Sequence, residues 1–256
     1  MQIGNIAVLG LCTALVTPGI TLVTPAFGQS QRMAIPSYYY PGQLWQKAAS
    51  GAPTVGMEVI NPNSGPGTSA DPAYQTQVKV AQASGLAVLC YVNSGYGKRD
   101  PNQVAQDLWH AFSWYGVNGI FFDQVPTDAA DVNTYVQWRV YIKSLNSKAI
   151  VVLDASGQPD EGYMQAGNII CNFAGDYNSY QTGYTPIPWA SSYPANRFWH
   201  IIFNVPTDTQ MRDVVAESKQ RHAGWVYVTP VGLPNPFGAL PADTYWLEEI
   251  KTLKAP

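Results

Sequence analysis

Residues 119–126 read GIFFDQVP, an apolar run that ends abruptly on an acid, an amide and a proline. Buried strands have this form where they surface at a site, so Asp123 is the first candidate for chemistry, with Gln124 beside it. Cleaving a glycosidic bond takes two carboxyl groups, one to donate a proton and one to attack, activate water or stabilise charge. Asp154, near the end of AIVVLDA, and Asp176, just past NIICNFAG, are acids at equivalent strand ends. Glu58, in GMEVINP, lies mid-strand, where burial would raise its pKa unless it finds a partner. Each acid also has a plainer reading, as a cap or a hydrogen-bonded surface group; for Asp123 that reading is a loop cap or a pairing with Lys98 or Arg99.

Other chemistries find little support. No G-x-S-x-G elbow is present, and His110, His200 and His222 are the only histidines, not grouped at metal-ligand spacing. No metal and no cofactor are therefore expected. Charged residues make up 12% of the 256 and the net charge is −3, which gives no basic field for a nucleic acid. Sixteen Tyr and eight Trp supply rings that can stack on sugar faces, although such rings also fill cores.

These groups need a scaffold, and from residue 34 onward eight apolar runs alternate with helix-like segments. The runs are 34–41, 54–62, 86–93, 119–124, 149–155, 168–175, 198–205 and 224–230. Near-continuous apolar character implies burial on both faces, as in a parallel sheet covered by helices. Helices are expected over 72–85, 102–116, 131–147, 207–222 and 245–254, two of them stopping at a glycine. The connections after runs five and six are short and rich in Pro or Gly. The pattern predicts an α/β fold, a single-domain (β/α)8 TIM barrel over 29–256, rather than an open sheet with a Gly-rich phosphate loop.

A barrel places its site at the C-terminal ends of its strands. The polar groups expected there are Tyr39, Tyr40, Asn61, Asn63, Tyr91, Asn93, Asp123, Gln124, Asp154, Asp176, Asn204, Tyr227 and Thr229. A rim of amides, phenols and a few carboxylates suits a polyhydroxylated ligand.

The first 28 residues are apolar, broken by Pro18 and Pro25, and end in the small-x-small pattern Ala26, Phe27, Gly28. This reads as a secretory signal peptide cut near Gln29, leaving an extracellular chain with no membrane segment. Cys12 leaves with the leader, while Cys90 and Cys171 sit in AVLCYV and NIICNF and are expected as buried thiols rather than a bridge.

IPSYYYPGQLW, INPNSGPG, YVNSGYGKRD, WYGVNGIFFDQ and YVTP followed by NPFGALP resemble, in order and spacing, the spherulin-4-like proteins. These include secreted (β/α)8 glycoside hydrolases that cut galactosamine-containing exopolysaccharides, of the endo-α-1,4-N-acetylgalactosaminidase type. The likeness runs over nearly all of 35–250. It implies a polysaccharide or oligosaccharide partner, Asp123 as a catalytic residue, and Tyr39, Asn61, Tyr91, Arg99, Gln124 and Tyr227 as substrate-binding groups. The family hydrolases carry an Asp-Glu pair after the two Phe residues and a further Glu after the Phe ending strand six. Here those places hold Gln124 and Ala174. An amide has no ionisable proton and cannot serve as a general acid, and alanine has no polar chemistry. Asp154, where the family commonly has Asn-Pro-Gly, and Asp176 are the acids that could substitute. Three readings stay open, the first two being a hydrolase whose carboxyl groups face each other about 5 to 9 Å apart, and a carbohydrate-binding pseudoenzyme. A cell-wall or spore-coat structural role is the third.

Overall fold

The computed structural model describes residues 31–255, so the expected leader over 1–28 lies outside the described residues. Eight parallel strands close in sequence order into one barrel: β1 (Arg32–Ser37), β2 (Val55–Ile60), β3 (Ala87–Asn93), β4 (Gly119–Asp123), β5 (Ile150–Asp154), β6 (Ile169–Asp176), β7 (Phe198–Phe203) and β8 (Trp225–Val228). Between and after them run α1 (Gln43–Ser50), α2 (Pro72–Ala83), α3 (Pro101–Tyr115), α4 (Val132–Leu145), α5 (Tyr163–Ala166), α6 (Tyr177–Gly183), α7 (Asp208–Gln220) and α8 (Asp243–Lys254). This is the (β/α)8 fold that the alternation predicts. The sequence pattern missed α1 and overextended β1, because Tyr38, Tyr39 and Tyr40 leave the strand.

Local chemistry sets the helix ends. Asp71 and Asp100 accept hydrogen bonds from the first-turn amides of α2 and α3, each with proline at the next position, and Gly116 stops α3 in the left-handed conformation. Strand alternation then sorts the side chains. Phe121 points into the barrel, stacking on Tyr91 and meeting Trp199 edge-on, while Phe122 points outward onto Trp138 and Tyr135 of α4. At the start of β4, a Cβ on Gly119 would lie 2.0 Å from the carbonyl oxygen of Ile150, so only glycine lets β4 and β5 approach this closely.

Cys90 and Cys171 are buried free thiols, as expected. Glu58 and Glu249 are both fully buried. The Ser37 hydroxyl donates to Glu58 Oε1 at 2.9 Å, and the Val228 amide donates to Glu249 Oε1 at 3.0 Å. Burial pushes each carboxyl up to about 8, so both are held neutral within the wall.

Candidate active site

Asp123 ends β4 at the barrel mouth with both oxygens occupied. Tyr91, one strand away, donates its phenol to Oδ2 at 2.5 Å, and the Gln124 backbone N–H donates to Oδ1 at 2.8 Å. The chain can turn there because Gln124 adopts a left-handed φ of 55°, sparsely populated for a residue with a Cβ. Ser94 pins the turn: its hydroxyl lies 2.7 Å from the Asp123 carbonyl and 2.8 Å from that of Gln124, and Tyr135 donates to Ser94 Oγ at 2.6 Å. The backbone strain of Gln124 is thus held by a buried clamp of Ser94, just past β3, and Tyr135 of α4.

Asp154 ends β5 and lines the same cavity, about 460 Å³, together with Asp123, Gln124, Tyr96, Lys98 and Ser156. The Ser156 hydroxyl and amide both donate to Asp154 Oδ1, at 2.5 and 3.2 Å. Burial raises the Asp154 carboxyl to about 7, the Asp123 charge adds to the rise, and the Ser156 hydrogen bond opposes it. Near neutral pH the Asp154 carboxyl thus holds its proton part of the time, on the same cavity as Asp123. One carboxyl poised as an acid beside a second is the division of labour that acid-base catalysis requires.

The remaining expected residues separate cleanly. Gln124 and Tyr91 belong to the site. Tyr39 does not: it is buried against Trp45 of α1, with its phenol donating to Ser37. Its neighbour Tyr38 takes the place over the mouth, half-buried and edge-on to both Tyr91 and Phe237. Burial first, then the charges of Asp123 and Asp154, raise the Tyr38 phenol well above its usual range, so it stays protonated as a donor. Asn61 braces its own loop by accepting from the Gly65 amide. Arg99 braces another, donating to the Asn93 carbonyl and pairing with Asp107 at 2.7 Å rather than with Asp123. Tyr227 is fully buried beneath Phe237, out of reach of a ligand. Asp176 lines neither this cavity nor the one beyond β5; it caps α6, accepting from Ser179 at 2.7 Å, and that bond lowers its pKa. An acid held in its charged form at a helix start is a poor proton donor.

Tyr38, Ser94 and Ser156 were not singled out from sequence. Ser156 carried a signal, because Asp-x-Ser at a strand end is an Asx-type turn. For Tyr38, three consecutive tyrosines left the choice to the path of the chain.

Among the described residues there is no cluster of His, Cys, Asp or Glu able to hold a metal, and no helix long and apolar enough to cross a membrane. Fold and site together define a (β/α)8 barrel with paired carboxyl groups at its C-terminal mouth. The family model described as Spherulation-specific family 4 matches residues 32–253, and the chain belongs to that family. It is 30% identical over 178 residues to Spherulin-4 of Physarum polycephalum, a match covering 68% of this chain and 53% of that protein; the chain thus spans about half the length of this curated relative. Among solved structures, Aspergillus clavatus Sph3 in complex with GalNAc is similar with a TM-score of 0.77 and 23% identity, over 89% of this chain and 99% of Sph3. The GH18 chitinase ChiB of Flavobacterium johnsoniae follows at a TM-score of 0.53 and 9% identity, over 88% and 94% of the two chains. These likenesses establish the barrel.

Proposed function

We propose that this protein is a glycoside hydrolase acting on a galactosamine- or N-acetylgalactosamine-containing exopolysaccharide, with Asp154 as the general acid and Asp123 as its carboxylate partner. The observation that carries the proposal is the placing of both carboxyl groups on one cavity, with Asp154 raised to about 7. Asp154 gives its proton to the glycosidic oxygen as the C–O bond breaks. Asp123, oriented by Tyr91 and the Gln124 backbone N–H, stabilises the positive charge that develops on the sugar ring. Water then supplies hydroxide to the anomeric carbon, and its remaining proton restores Asp154. Family membership and the GalNAc held by the Sph3 structure support the choice of sugar. The leader-like character of residues 1–28 supports export.

The test is release of reducing ends from galactosamine-rich polymers by the mature chain, with Asp154→Asn and Asp123→Asn as controls. Release that survives both substitutions overturns the assignment. A second reading, a binding protein without turnover, draws on Gln124 and Ala174, where no carboxyl stands. Sugar binding without release, together with turnover gained in a Gln124→Glu, Ala174→Glu double variant, would select it.

A further inference from the structure

Cys90 and Cys171 are both fully buried thiols, yet strand register turns them opposite ways. Phe121 points into the barrel, Val152 lies beside it on β5 and Ile169 beside that on β6, so alternation sends Asp154 and Cys171 inward as well. Cys171 is the ladder partner of Asp154 on one side and of Trp199 on the other, and Trp199 meets Phe121 inside the barrel. On β3, Tyr91 pairs with Phe121 and faces inward, which leaves Cys90 facing the helices, where Asp107 of α3 is its charged neighbour.

Cys171 meets Asp154 through its backbone and its side chain. Its carbonyl accepts from the Ala155 and Ser156 amides, each at 3.1 Å, so it anchors the turn that brings the Ser156 hydroxyl to Asp154. Its Sγ lies 3.5 Å from the Phe173 carbonyl oxygen and also hydrogen-bonds the Asp154 carboxyl. Burial first, then the Asp154 charge, raise the thiol well above its usual range, so it keeps its proton and acts as a donor. One proton thus has two acceptors.

Asp123 of β4 and, from the loops after β3 and β4, Tyr96, Lys98, Asp128 and Asp131 share the cavity with Asp154, and the phenols of Tyr38 and Tyr91 face it. One cation among three further carboxyls does not offset the burial of a charge on Asp154. The donors that reach it, the Ser156 hydroxyl more strongly and the Cys171 thiol less, are what favour its anion.

We propose that Cys171 is a positioning residue for the proton donor: its S–H rests on the Phe173 carbonyl while Asp154 is protonated and turns to Asp154 once that carboxyl has given its proton up. A charged acceptor takes a donor more strongly than a neutral carbonyl does. The bond steadies the anion left by proton transfer to the glycosidic oxygen and keeps the carboxyl aimed at the cavity. This rests on the reading of Asp154 as the general acid.

The first test needs no turnover. In the Cys90→Ala variant of the mature chain Cys171 is the one thiol, so the infrared S–H stretching band reports it alone. The band should move to lower frequency as pH rises through about 7, and adding Asp154→Asn should abolish that movement. A band that ignores pH, or that still responds without the Asp154 carboxyl, overturns the proposal. The second test is the pH profile of reducing-end release. Cys171→Ala should move the falling limb to higher pH and lower the plateau of kcat about two- to fivefold, as loss of one weak donor predicts, with KM little changed. Cys171→Ser, which keeps a donor, should restore both, and Cys90→Ala, which removes an equal volume on the helix side, should move neither. A limb that Cys171→Ala leaves in place overturns the positioning role. No release by the unsubstituted chain, with the band still responding to pH, overturns the hydrolase reading and leaves the Cys171 to Asp154 bond standing.

Discussion

Two sets of carboxyl groups in this barrel share one physical feature and differ in another. Asp154 at the mouth and Glu58 and Glu249 in the wall are all raised by burial, to about 7, 8 and 8. Asp154 opens onto a cavity that also holds Asp123, whereas Glu58 and Glu249 are sealed among Ser37, Tyr39 and the β8 backbone. A shifted pKa thus marks desolvation, and access decides whether the proton can be used.

The sharpest break between the two sets is expected in turnover. Asp154→Asn should lower reducing-end release about a thousandfold, the usual contribution of a general acid, while Glu58→Gln keeps release within about threefold. A comparable loss in Glu58→Gln, with its melting temperature preserved, would erase the distinction. Tyr91→Phe removes the hydrogen bond to Asp123 and should cost about ten- to a hundredfold in kcat, since bonds to charged groups are worth about 1.5–3 kcal/mol. Tyr39→Phe, just past β1 and buried, should change kcat little.

The pH dependence separates the sets again. Release should fall as pH rises through about 7, where Asp154 loses its proton. Ser156→Ala removes the hydrogen bond that lowers Asp154, so the falling limb should move to higher pH; an unchanged limb would detach Ser156 from the acid.

Stability responds through all three acids and one histidine. Glu58 and Glu249 ordinarily titrate at 4.5 and Asp154 at 3.8, so from there up to their folded values the unfolded chain has released protons that the folded chain retains. Stability from these groups is full at low pH and is lost as pH rises through about 7 to 8. Buried His200 is lowered from 6.5 to about 3, so its contribution is present above 6.5 and is lost as pH falls toward 3. Three acids outweigh one histidine, so the melting temperature should be several degrees higher at pH 5 than at pH 8. Glu58→Gln should flatten that slope in a scan of melting temperature against pH, the smallest of these effects.

Much of this was legible without coordinates. Eight apolar runs with helices between them gave the barrel because burial on both faces leaves no alternation in a strand, and the rule that sites sit at strand C-termini then selected Asp123, Gln124, Tyr91 and Asp154. The acids at other strand ends could not be sorted that way. Asp176 and Asp154 look alike in sequence, yet one caps a helix and the other faces a cavity. The register of β6 against β7 shifts between Cys171 and Phe173, an irregularity that the apolar run by itself does not announce.

The tyrosines make the same point within four residues. The sequence puts three phenols, Tyr38, Tyr39 and Tyr40, at the end of the first apolar run and so near the barrel mouth. Only the tertiary structure decided that Tyr38 stands against Tyr91 at the mouth, Tyr39 is buried against α1 and Tyr40 meets solvent. The sequence determined which chemical groups arrive at the rim, because hydrophobic periodicity and strand length are local. Which of them face one another was decided by contacts between strands and loops far apart in the chain, where a single turn or bulge reverses the direction of a side chain.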